Sequence, residues 1–223
     1  MKIKTVNELE EAIHRETAWR MLELSCIREN VKFSDGKAKD TAMRAGIALL
    51  YAHWEGAIKS IATHYLEYVS SLDLSYNQLK HNFLALTIRY DLQMFDESKK
   101  STLHTAIVSN VIEKQSDKSK IPTKNVIRTE SNLNSEVFSE IMATIGLPSD
   151  KYEPSYKLID ELLLGKRNRI AHGEYIGMID IDETRYFEIH DKVRELINMF
   201  AEQVLDAAIS SEYLRASPAE NAC

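Results

Sequence analysis

Arg167, Asn168 and His172 are the residues of this chain whose types and spacing suit a reaction. They fall in the run Lys166-Arg167-Asn168-Arg169-Ile170-Ala171-His172-Gly173-Glu174, after a mostly apolar stretch from Leu158 to Leu164 and just before a helix stop at Gly173. Arginine offers a fixed cation with a two-pronged donor fork. Histidine takes or gives a proton near neutral pH. On a regular helix, positions five apart stand roughly 140° apart about the axis, so Arg167 and His172 do not share one narrow stripe. Unwinding of the last turn near Gly173 would let both tips reach one small anion. An anion-holding arginine beside a proton-transferring histidine, without an acidic metal cluster, suits cleavage of a phosphodiester by the RNA's own 2′-hydroxyl. The same residues also fit a plainer role, because basic side chains complement the dipole at a helix C-terminus and a histidine there can cap carbonyls.

Other chemistries are missing from the sequence. It has no phosphate-cradling glycine loop, no zinc-ligand spacing and no serine nucleophile elbow. His81 and His104 each lack a second His or Cys three or four residues away, so we expect neither metal nor cofactor. His172 is left as the catalytic candidate. Lys166 and Arg169 are candidates to hold flanking phosphates or to stay solvated.

The run Arg167-Asn168-Arg169-Ile170-Ala171-His172 resembles the Arg-polar-x-x-x-His motif of HEPN domains (higher eukaryotes and prokaryotes nucleotide-binding). Two further stretches, Leu50-Tyr51-Ala52-His53-Trp54-Glu55-Gly56 and Thr129-Glu130-Ser131-Asn132-Leu133-Asn134-Ser135-Glu136, resemble segments of a bacterial HEPN subfamily tied to defence and toxin systems. The resemblance spans about residues 10–208. It implies a homodimer whose two motifs face each other, acting as a metal-independent endoribonuclease with a toxin or antiphage role and held by a cognate antitoxin or defence partner. Arg167, Asn168 and His172 would be its catalytic residues. The resemblance also sets the second helix beside the motif, where Glu55 would orient Arg167 or His172. The alternative it leaves open is a non-catalytic HEPN dimerisation or nucleotide-binding module.

Positioning such a motif takes long helices, and the composition favours them. The 223 residues are 44% hydrophobic, with only 7 Gly and 4 Pro, which argues against many-turned β structure. We expect an all-α fold: an up-and-down four-helix, HEPN-like bundle with core helices at about 5–31, 37–70, 155–172 and 184–214. Residues 1–215 would form one domain, with a helical insertion at about 76–147 between the second and third core helices and a disordered tail at 216–223. The stripes Leu9/Ile13/Leu24/Val31, Ile47/Leu50/Tyr51/Trp54/Ile58/Ile61/Tyr65 and Ile189/Val193/Leu196/Phe200/Val204 repeat at helical spacing. Ala45, Ala48 and Ala52 would admit a close helix neighbour. Within the insertion, 125–129 is expected to be a short extended piece and 135 onward a helix stopped by Gly146 and Pro148.

The formal net charge of −6 is not that of a protein that coats nucleic acid through bulk charge. RNA binding would need a local basic patch. No run approaches 18 uninterrupted apolar residues and the N-terminus lacks an apolar signal region, so we expect no membrane association and a cytoplasmic location. Cys26 and Cys223 make a poor disulfide pair, and Cys26 is expected to be a core thiol.

Overall fold

A computed structural model describes residues 3–174 and 181–216. The irregular or extended link expected at 175–181 lies outside these residues except for Ile181, as do the tail from 217 onward and Cys223. Among the described residues the fold is all-α. There is no strand, only isolated bridges joining Ser75 with Lys118 and Leu79 with Leu214.

Three long helices carry the core: α1 (Val6–Phe33), α2 (Gly36–Ser71) and α8 (Glu183–Ile209). Each has a local reason to start. The Thr5 hydroxyl accepts the Glu8 N–H while the Glu8 carboxylate accepts the Thr5 N–H, a reciprocal cap that satisfies two donors. Asp182 accepts the Arg185 N–H at 2.7 Å and opens α8. The link from α1 to α2 is only Ser34 and Asp35.

The three helices pack on one another. They bury Leu9, Ile13, Leu24 and Val31 from α1, Ile47 through Tyr65 of the α2 stripe, and Ile189 through Val204 of the α8 stripe. At Gly46 the Tyr186 side chain of α8 packs directly on the α2 backbone. A methyl group there would collide with the Tyr186 ring, the nearest atom lying 2.3 Å from the Cβ position. The small residues named for close approach are not the ones used, since Ala45 and Ala52 are exposed. Cys26 is exposed as well, and so is not a core thiol. The gap in the α1 stripe between Ile13 and Leu24 is filled by Arg20, 6% exposed and paired with Glu16 at 2.8 Å. Gly56 makes room for its guanidinium.

Between α2 and the motif lie α3 (His81–Thr87), α4 (Arg89–Glu97), α5 (Ser101–Lys114) and α6 (Ser135–Ile145). Helix α6 ends at Gly146, whose φ of +75° suits glycine, and sends Phe138, Ile141, Met142 and Ile145 into the core. Residues 125–129 form no strand. Asn125 sits at φ +57° in a turn, and the segment has no pairing partner there. The α4–α5 hairpin contributes little to the core, with Tyr90, Phe95, Val108 and Ile112 exposed.

The expected single helix at 155–172 is three pieces: a 3₁₀ turn (Asp150–Ser155), a π-helix (Leu158–Gly165) and α7 (Lys166–Ala171). Two features favour the wide turn. A side chain at 165 would stand 3.3 Å from the Asp160 carbonyl oxygen, which glycine avoids. The Asp160 carboxylate is meanwhile held at the α6 N-terminus by the Ser135 N–H (2.7 Å) and hydroxyl (2.6 Å). Helix α8 stops at Ile209, short of the expected 214, because Ser211 turns at φ +59° and residues 213–215 fold back to bond 78–80.

Candidate functional site

All three sequence stretches that drew attention meet at one place. Tyr51 of α2 is 3% exposed and lies at its centre. Its hydroxyl accepts the Leu133 N–H at 2.6 Å. Its ring carries the Arg167 guanidinium, whose Cζ stands 3.9 Å from the ring centroid, a cation–π contact. Arg167 Nη2 donates to the Ser131 carbonyl at 2.8 Å. Its Nε is buried and unpartnered among the described residues. Asn168 Nδ2 donates to Asn132 Oδ1 at 3.2 Å. The start of α7 is thus tied to the 129–132 turn by two side chains, and that turn is tied to α2 through Tyr51.

The turn is unusual in itself. Glu130 and Ser131 have φ of +53° and +54°, and the Asn132 N–H closes onto the Thr129 carbonyl at 2.9 Å. Two consecutive left-handed residues that both carry a Cβ are uncommon and cost energy. They aim the Ser131 carbonyl at Arg167. Asn134 then caps α6 by accepting the Val137 N–H at 2.8 Å.

The other end of α7 is built differently. The His172 N–H bonds the Asn168 carbonyl (3.0 Å), the Gly173 N–H that of Ile170 (3.1 Å), and the Glu174 N–H that of Arg169 (3.1 Å). Gly173 sits at φ +75°, which closes the helix without a Cβ penalty. Glu174 is held twice more: its carboxylate pairs with Arg169 Nε, and its carbonyl accepts from Arg44 Nη1 of α2 at 2.8 Å. His172 itself is exposed, and its ring has no hydrogen-bond partner among the described residues. It does not cap carbonyls with its side chain.

The candidates therefore part company. Arg167 and Asn168 are brought together on the 131–132 backbone. Arg169 is engaged by Glu174, and Lys166 is half-buried beside them. No contact joins Arg167 to His172 within the described chain. Glu55 lies one turn beyond Tyr51 and bonds neither of them, but its charge reaches the Tyr51 hydroxyl. The Tyr51 phenol is raised above its usual value, mainly by burial; the Leu133 N–H and the Arg167 cation oppose this and Glu55 adds to it. It stays neutral at physiological pH.

Tyr51, Arg44 and Asp160 hold the geometry around the motif, and the sequence pattern singles out only Tyr51, for the core. Tyr51 reads as a core stripe residue, and only its phenol hints at a polar task. Among the described residues no group of three or more His, Cys, Asp or Glu is arranged to hold a metal. No described helix is long and apolar enough to cross a membrane.

A family model described as RiboL-PSP-HEPN matches residues 15–206. No curated protein and no solved structure matches the chain.

Proposed function

We propose a function from the family outward: this chain belongs to the HEPN family, whose domains are often nucleases or nucleotide-binding modules and often form dimers that bind RNA, and we read it as a metal-independent endoribonuclease. The observation that carries the reading is the contrast within α7, a cation held ready at one end and an exposed, uncommitted imidazole at the other.

In the proposed reaction a neutral His172 takes the proton from a 2′-hydroxyl. That oxygen attacks phosphorus, and the P–O5′ bond breaks. The partner subunit's His172, as imidazolium, gives its proton to the departing 5′-oxygen. One His cannot be base and acid on opposite sides of one phosphorus, so a two-fold dimer divides the roles. Arg167 stabilises the charge that builds on the non-bridging oxygens. Asn168 holds the motif turn, and Lys166 and Arg169 face flanking phosphates. The products are a 2′,3′-cyclic phosphate and a 5′-hydroxyl. By family resemblance the biological setting is a toxin or antiphage system with a cognate partner protein.

The test is cleavage of total RNA and of a tRNA pool in EDTA, by wild type and His172→Ala, with end-group analysis. Cyclic-phosphate ends with wild type and a rate at least about 10² lower in the variant are expected. Full activity in His172→Ala refutes the reading. A second reading, a nucleotide-binding module, draws on the engagement of Arg169 by Glu174. Saturable nucleotide binding without cleavage of any RNA would favour it.

A further inference from the structure

A cleft of about 600 Å³ runs beside the motif, between α2 and the 123–131 loop. That volume is in the range of ligand sites. Three cations line it: Lys59 on α2, and Lys124 and Arg128 on the loop. All three are exposed. None forms an ion pair among the described residues; Arg128 Nε makes only a 3.5 Å bond to the Asn125 carbonyl. Two carboxylates share the cleft. Glu67 stands 3.6 Å from His64 Nδ1 and is partly answered by it, while Glu130 has no ion-pair partner among the described residues.

Ser131, the residue whose carbonyl holds Arg167, also lines the cleft. Lys59 is eight residues beyond Tyr51 on α2, about 12 Å along the helix axis. A chain of phosphates leaving Arg167 along this cleft would therefore run past Lys59, Lys124 and Arg128.

We infer that this cleft carries the backbone of single-stranded RNA on one side of the scissile phosphate, with Lys59, Lys124 and Arg128 contacting successive phosphates. The inference rests on the RNA-cleaving reading of Arg167 and His172 and names the form of its substrate. Two arguments favour a single strand. Attack by a 2′-hydroxyl needs that oxygen in line with the leaving oxygen, a geometry that a stacked A-form duplex withholds. A cleft walled by one helix and one loop suits a strand tracked through its phosphates, whereas duplex RNA is read across a broad shallow groove. The mixed charge is part of the device. Three cations against two carboxylates bind a strand that also engages Arg167, without making a general sink for polyanions in an acidic protein.

The experiment measures binding, independent of cleavage. The probe is a 12-nucleotide RNA with 2′-O-methyl sugars throughout, which has no free 2′-hydroxyl and cannot be cut, titrated against wild type and against Lys59→Glu/Lys124→Glu at several salt concentrations. The double variant is expected to bind at least tenfold more weakly, with a salt slope shallower by about 1.4 for two lost phosphate contacts. Glu130→Gln is expected to tighten binding. A duplex of the same sequence is expected to bind at least tenfold more weakly than the single strand. Unchanged affinity in the double variant, or no binding by wild type, overturns the inference; so does equal affinity for the duplex. A dinucleotide has a single phosphate and does not extend into the cleft, so its cleavage reports the motif alone. Loss of that cleavage in His172→Ala alone belongs to the nuclease reading, so the two ideas fail separately.

Discussion

The two ends of α7 are held in opposite ways, although Arg167 and His172 are only five positions apart. Arg167 has a ring beneath it and a carbonyl in front of it, and its neighbour Asn168 is bonded to the same turn. His172 has backbone bonds only. The difference separates two needs of phosphodiester chemistry. A group that stabilises charge works best when fixed before the reaction, since it then has nothing to reorganise. A group that transfers a proton must reach its substrate, and on the proposed reading the exposed His172 ring is left open to do so. The strained turn at Glu130 and Ser131 belongs to the fixed end.

Substituting each end is the strongest way to break the comparison. His172→Ala should lower kcat by about 10² to 10⁴ and leave the unfolding midpoint unchanged, because the ring is exposed. Arg167→Ala should lower kcat by about 10² to 10³ and also destabilise the fold, by about 1–3 kcal/mol, since a charged hydrogen bond and a cation–π contact go with it. Single-turnover kinetics alongside denaturant melts would separate the two. If both variants melt like wild type, Arg167 is not the built-in element described here. Wild-type activity should also be bell-shaped in pH, because the proposed reaction needs one neutral and one protonated imidazole.

The fixed end was the harder one to read in advance. Long apolar stripes at helical spacing located α1, α2 and α8 within a few residues, because burial on one face dictates that spacing. Helix α6 is legible from its local signals instead, the Asn134 start and the Gly146 stop. The π-helix carries no such mark. Leu158–Gly165 is apolar on several sides, so its period does not distinguish a wide turn from a regular one, and only the contact between Asp160 and Ser135 decides it. The end of α8 was missed for a similar reason, since its fold-back depends on the distant 78–80 strip. Cys26 sits among apolar residues in sequence but on the open side of α1. Arg167, Asn168 and His172 are legible from their chemistry together with the likeness of 167–172 to the HEPN motif. That Arg167 rests on Tyr51 was not legible, because an aromatic at a stripe position looks like any other core residue.

Tyr51 therefore offers a finer test of the fixed end. Tyr51→Phe keeps the ring under Arg167 and removes the acceptor of the buried Leu133 N–H. Leaving that donor unpaired should cost about 1–3 kcal/mol. Catalysis should fall by roughly tenfold, less than the 10² that a 1 Å misplacement can cost, and it should fall in kcat with KM nearly unchanged. Tyr51→Leu removes the ring as well and should approach Arg167→Ala. Equal kinetics for the Phe and Leu variants would mean that the ring does not position the guanidinium.

The smallest effect concerns the opposite face of the same helix. His53, two residues from Tyr51, points at α1, where it is 3% exposed and edge-on to Trp19 with ring centroids 5.3 Å apart. Its Nε2 lies 3.1 Å from a Glu23 oxygen, within ion-pair range but outside hydrogen-bonding geometry. Burial lowers its pKa; Glu23 opposes this and Arg20 adds to it. The folded protein thus holds the His53 proton less tightly than the unfolded chain, where histidine titrates near about 6.5. The stability from a neutral His53 is fully present above about 6.5 and is lost as pH falls through that value toward the lower folded one. Melting midpoints between pH 8 and 5 should decline more steeply for wild type than for His53→Gln. The Tyr51 phenol stays neutral throughout that window, so this acid response of stability belongs to the α1 face of α2. An identical decline in both proteins would move the acid sensitivity away from His53 and leave the two faces of α2 alike in this respect.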